Sequence, residues 1–553
     1  MSTARASRSW PAGLLLLGIA ACGTALRAYR LDWGLPGYNF PDDVMHFLRP
    51  AARAAAGGSW LPDAFVHPPV LIGLLAIAFR LWALATGRTI QPPALAPPEQ
   101  LAALTLVGRT LNVALAGLSI VMMYLVARRL LGRAGGLLAA AALALSPLHV
   151  LESHRLAPDI PALLLLLGSI HVGLMADERR STVLLIASGV LAGLATATRY
   201  TAALALVGPL CVLARRRAGI LVLLGVGAAT VAGFLVGCLP CLCRLHRFLA
   251  DIGLIATLGY GVDAPGVTLA DGFAQQRWVY PLAVALPYMM GWGLYLLALL
   301  GLLGLWRHDR RAALLLLAAI VPYVFLVGAS RAAVPRYYLQ VSPFLAIAAG
   351  AALTVPPRVR LAWRPHAVVV GVIAFAYTAL LAQAQVRRLG LGPQRQVGVL
   401  TAAVVEQAAA RQETPFVVAY PSKIWLHYDG VARFLRRPDV RIVEFPKSYA
   451  NPFVGAAGSP APEAWLAAEG VDAIVLPSWI ENAILRMRRS GPSQAFLSAL
   501  EAGTLGFRQV GDFRTRYPTQ CLYTWGDPML DTHWETAIAG YRVFVRERPA
   551  ARG

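Results

Sequence analysis

The chain has 553 residues, 57% of them hydrophobic and 14% charged, with 50 Lys and Arg against 28 Asp and Glu for a formal charge of +22. Apolar runs of about twenty residues, the length that crosses a roughly 30 Å hydrocarbon core, recur along it and exclude an ordinary soluble globular protein. The positive charge does not indicate a nucleic-acid binder, because it lies in short Arg clusters between apolar runs, where the positive-inside rule places cytoplasmic loops.

Arg5 and Arg8 precede a long apolar run with no small-residue cleavage site. The first span, about Pro11–Ala28, is therefore expected to stay uncleaved, with its N-terminus in the cytoplasm. A Pro-rich loop follows to about Gln100, far longer than the later connections, and long irregular segments in compact proteins are usually functional. Within it Tyr38–His46 sets Asp42 and Asp43 side by side where a membrane surface is expected, and Val70–Ala85 is apolar enough to be a further span.

Successive spans are expected at about Ala103–Ala127, Leu137–Val150, Ile160–Met175, Val183–Thr198, Ala202–Leu213, Ile220–Val236, Pro281–Trp306, Ala312–Val327, Val341–Leu353 and Ala367–Ala384. The Arg clusters at 128–133, 179–180, 215–217, 307–311 and 358–364 all fall on the N-terminal side only if Val70–Ala85 does not cross and lies as an amphipathic or re-entrant helix at the outer surface. The expectation is about eleven spans, N-terminus inside and C-terminus outside. The opposite loops then hold Asp42, Asp43, His67, Glu152 to Asp159, Arg199 and Arg336. Charges at that depth are costly and persist mainly where they work in a cavity or pathway.

Six cysteines are too few and too scattered for a disulfide framework. The group Cys238, Cys241 and Cys243 superficially suggests a metal site, but with no His partner set nearby it reads as small apolar residues at a helix end. After about Gln385 no run is long enough to span. Strand-like pieces (Phe416–Tyr420, Arg441–Phe445, Ala473–Leu476, Tyr541–Val545) alternate there with helix-like ones (Lys423–Phe434, Pro492–Ala502). Residues 1–385 are thus expected to form a membrane domain and 386–553 an extracytoplasmic soluble α/β domain.

Five motifs carry a resemblance. They are Pro41-Asp42-Asp43-Val44-Met45-His46-Phe47, Val66-His67-Pro68-Pro69-Val70, Arg155 to Asp159, Gly193 to Tyr200, and Pro335-Arg336-Tyr337-Tyr338-Leu339. In order and spacing they resemble the GT-C membrane glycosyltransferases, in particular bacterial relatives of protein O-mannosyltransferases and of the aminoarabinose transferases that modify lipid A. The resemblance implies a polytopic α-helical GT-C-like fold in a bacterial inner membrane. It also implies a polyprenyl-phosphate-linked sugar as donor and a hydroxyl on a protein, lipid or glycan as acceptor. Asp43 stands where the family usually has Glu, and Arg199 where many relatives have Lys, which replaces a point charge by a planar fork.

Inversion at an anomeric carbon requires a base for the acceptor hydroxyl, cations for the leaving lipid phosphate and an apolar groove for the lipid. Asp42 is the candidate base, and Asp43 orients the acceptor, binds a cation or tunes its neighbour. The plainer reading of the pair is a helix cap before Val44. Arg336 is the first candidate for phosphate and Arg199 or Arg155 the second, since guanidinium binds phosphate oxygens bidentately. Against this stand snorkelling and a buried pair with Asp159. Tyr337 joins the phosphate site or, with Tyr338, the aromatic belt, and His67 is either presented to the cavity by its two prolines or anchors the interface. No cofactor is certain. A divalent cation, if used, would fall to Asp42, Asp43 and His46. The alternative function is a transporter or flippase of a lipid-linked substrate, which would place polar groups near the bilayer midplane.

Overall fold

The computed structural model describes residues 10–35, 43–260, 279–330, 335–354, 364–390, 403–407, 410, 416–420, 440–445, 461–477, 491–513 and 541–547. Helix α1 (Trp10–Ala28) leads into a π-helical turn at Asp43–Leu48 that continues as α2 (Arg49–Ala55), and α3 (Val70–Thr86) packs back on both. Leu71, Ile72, Leu75, Ala76 and Phe79 form the buried face of α3, while Ile77, Leu81 and Leu84 are exposed.

The run α4 (Pro98–Leu145) is two helices, broken where Gly132 takes φ 78°. A Cβ on Gly136 would stand 2.9 Å from the side chains of Tyr124 and Arg128, so the second half lies back against the first. This turn falls among Arg128, Arg129 and Arg133, between two expected spans. Next come α5 (Pro147–Glu152), α6 (Asp159–Arg179) and α7 (Thr182–Thr198), whose cap Ser181 accepts the Leu184 N–H. Gly189 and Gly193 of α7 and Gly233 of α9 (Ile220–Gly237) let these two helices touch backbone to backbone, the small-residue packing that membrane helices use.

Two expected spans take another form. Ala202–Leu213 is a 3-10 turn at Tyr200–Leu206 joined to α8 (Val207–Arg216). With rises of about 2.0 and 1.5 Å per residue the pair still has a contour of roughly 29 Å. Pro281–Trp306 is a bent pair, Pro281–Met290 and Trp292–His308, at 112° to one another. Gly291 between them has φ 75°, a backbone region that favours glycine. Further helices run over Arg310–Gly328, Ser342–Thr354 and Arg364–Gly390, the last continuing past residue 385.

Among the described residues six helices are long and apolar enough to cross a membrane alone, or seven if the bent pair is one span. The other expected spans are the second half of α4, the 3-10 and α8 pair, and shorter apolar helices such as Ala12–Ala28 and Thr182–Thr198. Length does not separate α3 from α7, since both have 17 residues. The short helices α10 (Leu239–Cys243) and α11 (Leu245–Tyr260) close the region after α9.

The C-terminal part holds a five-stranded sheet in the order β2-β1-β3-β5-β4, built from β1 (Phe416–Tyr420), β2 (Val440–Glu444), β3 (Ala473–Pro477), β4 (Phe507–Asp512) and β5 (Tyr541–Arg546). β1 pairs parallel with β2 and β3 and is buried at every position, as a strand covered on both faces must be. β5 runs antiparallel between β3 and β4. Four of these strands and the helix at Gly491–Glu501 lie where expected. β4 and the helix at Pro462–Ala468 were not expected, and the helix expected over Lys423–Phe434 lies outside the described residues.

Candidate functional site

The candidate site gathers at one end of the helix bundle, from helix termini far apart in sequence. Asp43, 2% exposed, opens the π-helical turn. Its carboxylate does not cap that turn but reaches 112 positions ahead, where Oδ1 accepts Arg155 Nη2–H at 2.8 Å and Oδ2 accepts the Leu156 backbone N–H at 3.0 Å. Arg155 also donates to Glu152 Oε2 at 3.4 Å, so one guanidinium serves two buried carboxylates. Burial works to lower the Arg155 pKa, and Asp43 and Glu152 outweigh it and leave it above the ordinary value, with Arg336 opposing.

The turn that presents Arg155 is fixed by α4. Asn112 donates to the carbonyls of Arg155 and Ala157. One helical turn earlier on the same face, Arg109 donates to the carbonyls of Leu31 and Trp33 and lies over the Trp33 ring at 4.3 Å. Trp33 in turn donates to the His154 carbonyl. The fully buried Arg27 ties α1 to the end of α4 and to α5 through the carbonyls of Leu143 and Ala144 and through His149 Nδ1.

Beside this knot Arg199, at the end of α7, forms a buried ion pair with Asp159 at the start of α6. Asp159 Oδ1 is buried with no hydrogen-bond partner among the described residues, and so is Gln340 Oε1, whose Nε2 donates to the Asp159 carbonyl. Tyr337 lies within reach of both guanidiniums, Arg199 at 5.3 Å and Arg336 at 5.5 Å from its ring centre. Tyr323 Oη donates to the Tyr337 carbonyl and steadies the 3-10 turn Pro335–Val341.

His67, half-buried, stands 5.1 Å from the Phe47 ring and 5.4 Å from His46. Its Pro-Pro loop is held from below. Tyr200 Oη donates to the Phe65 carbonyl, and buried Asp251 of α11 accepts the Phe65 N–H at 2.7 Å.

Of the residues expected from sequence, Asp43, Arg155, Asp159, Arg199, Arg336 and Tyr337 meet in one region, and His67 adjoins it through the Asp43 turn. Asp42 lies outside the described residues. Tyr338 is fully buried and belongs to the core rather than to an aromatic belt. Arg199 takes the buried pairing with Asp159 that was weighed against phosphate binding. Glu152, Arg109 and Asn112 were missing from the candidate residues. The signal for Arg109 was a charge inside an otherwise apolar run, which is seldom kept without a task. Among the described residues no three His, Cys, Asp or Glu side chains stand together to hold a metal ion. Asp43 turns both oxygens to N–H donors and His46 faces His67, while Asp42, the third residue expected for a divalent cation, lies outside the described residues.

The sequence pattern of the dolichyl-phosphate-mannose-protein mannosyltransferase family matches residues 102–243, which carry Arg109, Arg155, Asp159 and Arg199. No curated protein matches the chain by sequence. Among solved structures, ArnT from Cupriavidus metallidurans bound to undecaprenyl phosphate is similar over 99% of this chain and 100% of that one, at 16% identity and a TM-score of 0.52. The Archaeoglobus fulgidus oligosaccharyltransferase tethered to an acceptor peptide is similar over 98% and 89%, at 13% identity and a TM-score of 0.56. The chain therefore has the fold of the GT-C membrane glycosyltransferases, a multi-pass helical membrane protein with a C-terminal sheet domain.

Proposed function

We propose that the chain is an inverting glycosyltransferase that moves a sugar from a polyprenyl-phosphate donor to a hydroxyl acceptor on the extracytoplasmic face of a bacterial inner membrane. The observation that carries this reading is the buried array at one end of the bundle, in which four guanidiniums (Arg109, Arg155, Arg199, Arg336) lie with three carboxylates (Asp43, Glu152, Asp159). A formal excess of one positive charge suits an anionic leaving group. The fold it shares with ArnT, crystallised with undecaprenyl phosphate, supports a polyprenyl-phosphate donor.

In this reading Asp42 takes the acceptor proton as the bond from the anomeric carbon to the phosphate oxygen breaks and the new glycosidic bond forms. Arg336, over Tyr337, meets the leaving phosphate, with the Arg199 and Asp159 pair beside it. Asp43 is a positioning residue that locks Arg155 and the 155–159 turn. Asp159 Oδ1 and Gln340 Oε1, buried acceptors without partners among the described residues, receive hydroxyls of the bound sugar. His67 borders the acceptor side. Apart from Arg109, which lies within α4, these groups stand at helix ends, and that favours an enzyme over a transporter, whose polar groups would sit nearer the midplane. The N-terminus is cytoplasmic, α3 lies at the outer surface without crossing, and the domain at 386–553 is extracytoplasmic and meets the protein, lipid or glycan acceptor.

The test is transfer by purified protein in lipid nanodiscs from a set of labelled polyprenyl-phosphate hexoses and pentoses, with the anomeric configuration of the product read by NMR. Asp42→Asn is expected to lower turnover by about 10²–10⁴, the usual weight of a general base. Full turnover by that variant would remove Asp42 from the role. Transport of the lipid-linked sugar without a new glycosidic bond would favour the flippase.

A further inference from the structure

The Cys238-Leu-Pro-Cys241 segment is absorbed by none of the glycosyl-transfer chemistry. Cys238 precedes α10 and Cys241 lies in its single turn, with the Cys241 N–H donating to the Cys238 carbonyl at 2.8 Å. That closed turn brings the two α-carbons to within about 5–6 Å, the separation a disulfide spans. Both side chains lie in the same buried apolar cluster, and each is 1% exposed. Each thiol bears on the other's proton, which holds the Cys241 pKa down and pushes that of Cys238 up. Cys243, two residues on, is exposed.

The pair packs against Phe65 and Ala197, each two positions from a residue of the candidate site, His67 and Arg199. Phe65 is the residue that Tyr200 and Asp251 hold by its carbonyl and N–H. The thiols are thus part of the floor beneath the His67 loop.

We propose that Cys238 and Cys241 form a reversible redox-active dithiol. Oxidation breaks two S–H bonds and forms one S–S bond within the segment, while an external low-molecular-weight disulfide accepts the two electrons and two protons and leaves as two thiols. The disulfide form stiffens the floor under Phe65, and reduction by excess thiol restores the pair.

The experiment equilibrates the full chain in nanodiscs, with Cys22, Cys211 and Cys521 replaced by Ser, against graded ratios of oxidised to reduced glutathione. Free thiols are then trapped by alkylation in denaturant and mapped by mass spectrometry. The expected result is a peptide 238–241 lighter by two hydrogens, with Cys243 alkylated, reversed by dithiothreitol and lost in both Cys238→Ser and Cys241→Ser. Hydrogen exchange at the Phe65–Val70 backbone is expected to slow in the oxidised form. Cys238 and Cys241 alkylated at every ratio, or a bond that instead uses Cys243, would overturn the assignment. None of these readouts depends on glycosyl transfer, so the outcome is separate from that of the proposed activity.

Discussion

Replacing Arg155 by Met tests whether the buried knot is one coupled unit. Asp43 and Glu152 share this guanidinium at 2.8 and 3.4 Å, and the three side chains are between 0% and 3% exposed. Removing one member of a buried pair leaves the other charge uncompensated and costs about 3–5 kcal/mol, and Arg155→Met takes a counter-charge from two carboxylates at once. Asp43→Asn keeps the shape but gives up two charge-assisted hydrogen bonds, for an expected loss of about 2–3 kcal/mol. In the double variant the Asp43 carboxylate is no longer there to be stranded. The combined loss should therefore fall short of the sum by about 2–3 kcal/mol. Unfolding in mixed micelles of rising SDS fraction, followed by tryptophan fluorescence, measures all three. A loss below about 1 kcal/mol for Arg155→Met, or additivity within about 0.5 kcal/mol, would refute the coupling.

Gly193→Ala should destabilise the bundle by about 1–3 kcal/mol in the same unfolding assay, because its Cβ would collide with the Thr230 carbonyl oxygen and force α7 from α9. Gly225→Ala, with nothing within 4 Å, should be neutral or gain up to about 1 kcal/mol. His154, in the turn before α6, supplies a pH dependence. Burial is the main cause that lowers its pKa from 6.5 to about 4, and Arg109 and Arg27 add to it against the carbonyls of Val150 and Tyr29. The unfolded chain takes up this proton first as pH falls, so stability is full above pH 6.5 and declines towards pH 4, by about 3 kcal/mol. His154→Gln should flatten that slope in unfolding titrations, and an unchanged slope would assign it to other groups.

Apolar run length made most of the helices legible, because lipid demands it at every span. It could not reveal the bend at Gly291, since Pro281–Trp306 stays apolar through the break, and only Pro287 and Gly291 hint at it. β4 escaped because Phe507–Asp512 is an edge strand with one buried residue and no alternation to read. The site was legible as a set of motifs but not as pairings. Nothing in Asp159 or Arg199 alone says that they neutralise each other, and Asp43, read as open in role, is committed to Arg155 by a contact across 112 positions. Glu152 stood inside a segment already noted, yet its burial against Arg155 depends on a turn that Asn112 holds from another helix.

That long-range contact also bears on how the chain is made. Asp43 emerges just after the first helix and Arg155 follows 112 residues later. At a synthesis rate of about 5–20 residues per second the carboxylate waits roughly 6–22 s for its partner. A lone carboxylate is not stable in hydrocarbon, so during that interval the Asp43 turn must stay hydrated at the membrane surface. Arg109 can hold the Leu31–Trp33 segment earlier, but the Asp43 turn itself docks only when the 155–159 turn arrives. Arg155 is the residue whose delivery lets that carboxylate leave water, before Arg199 and Arg336 complete the site.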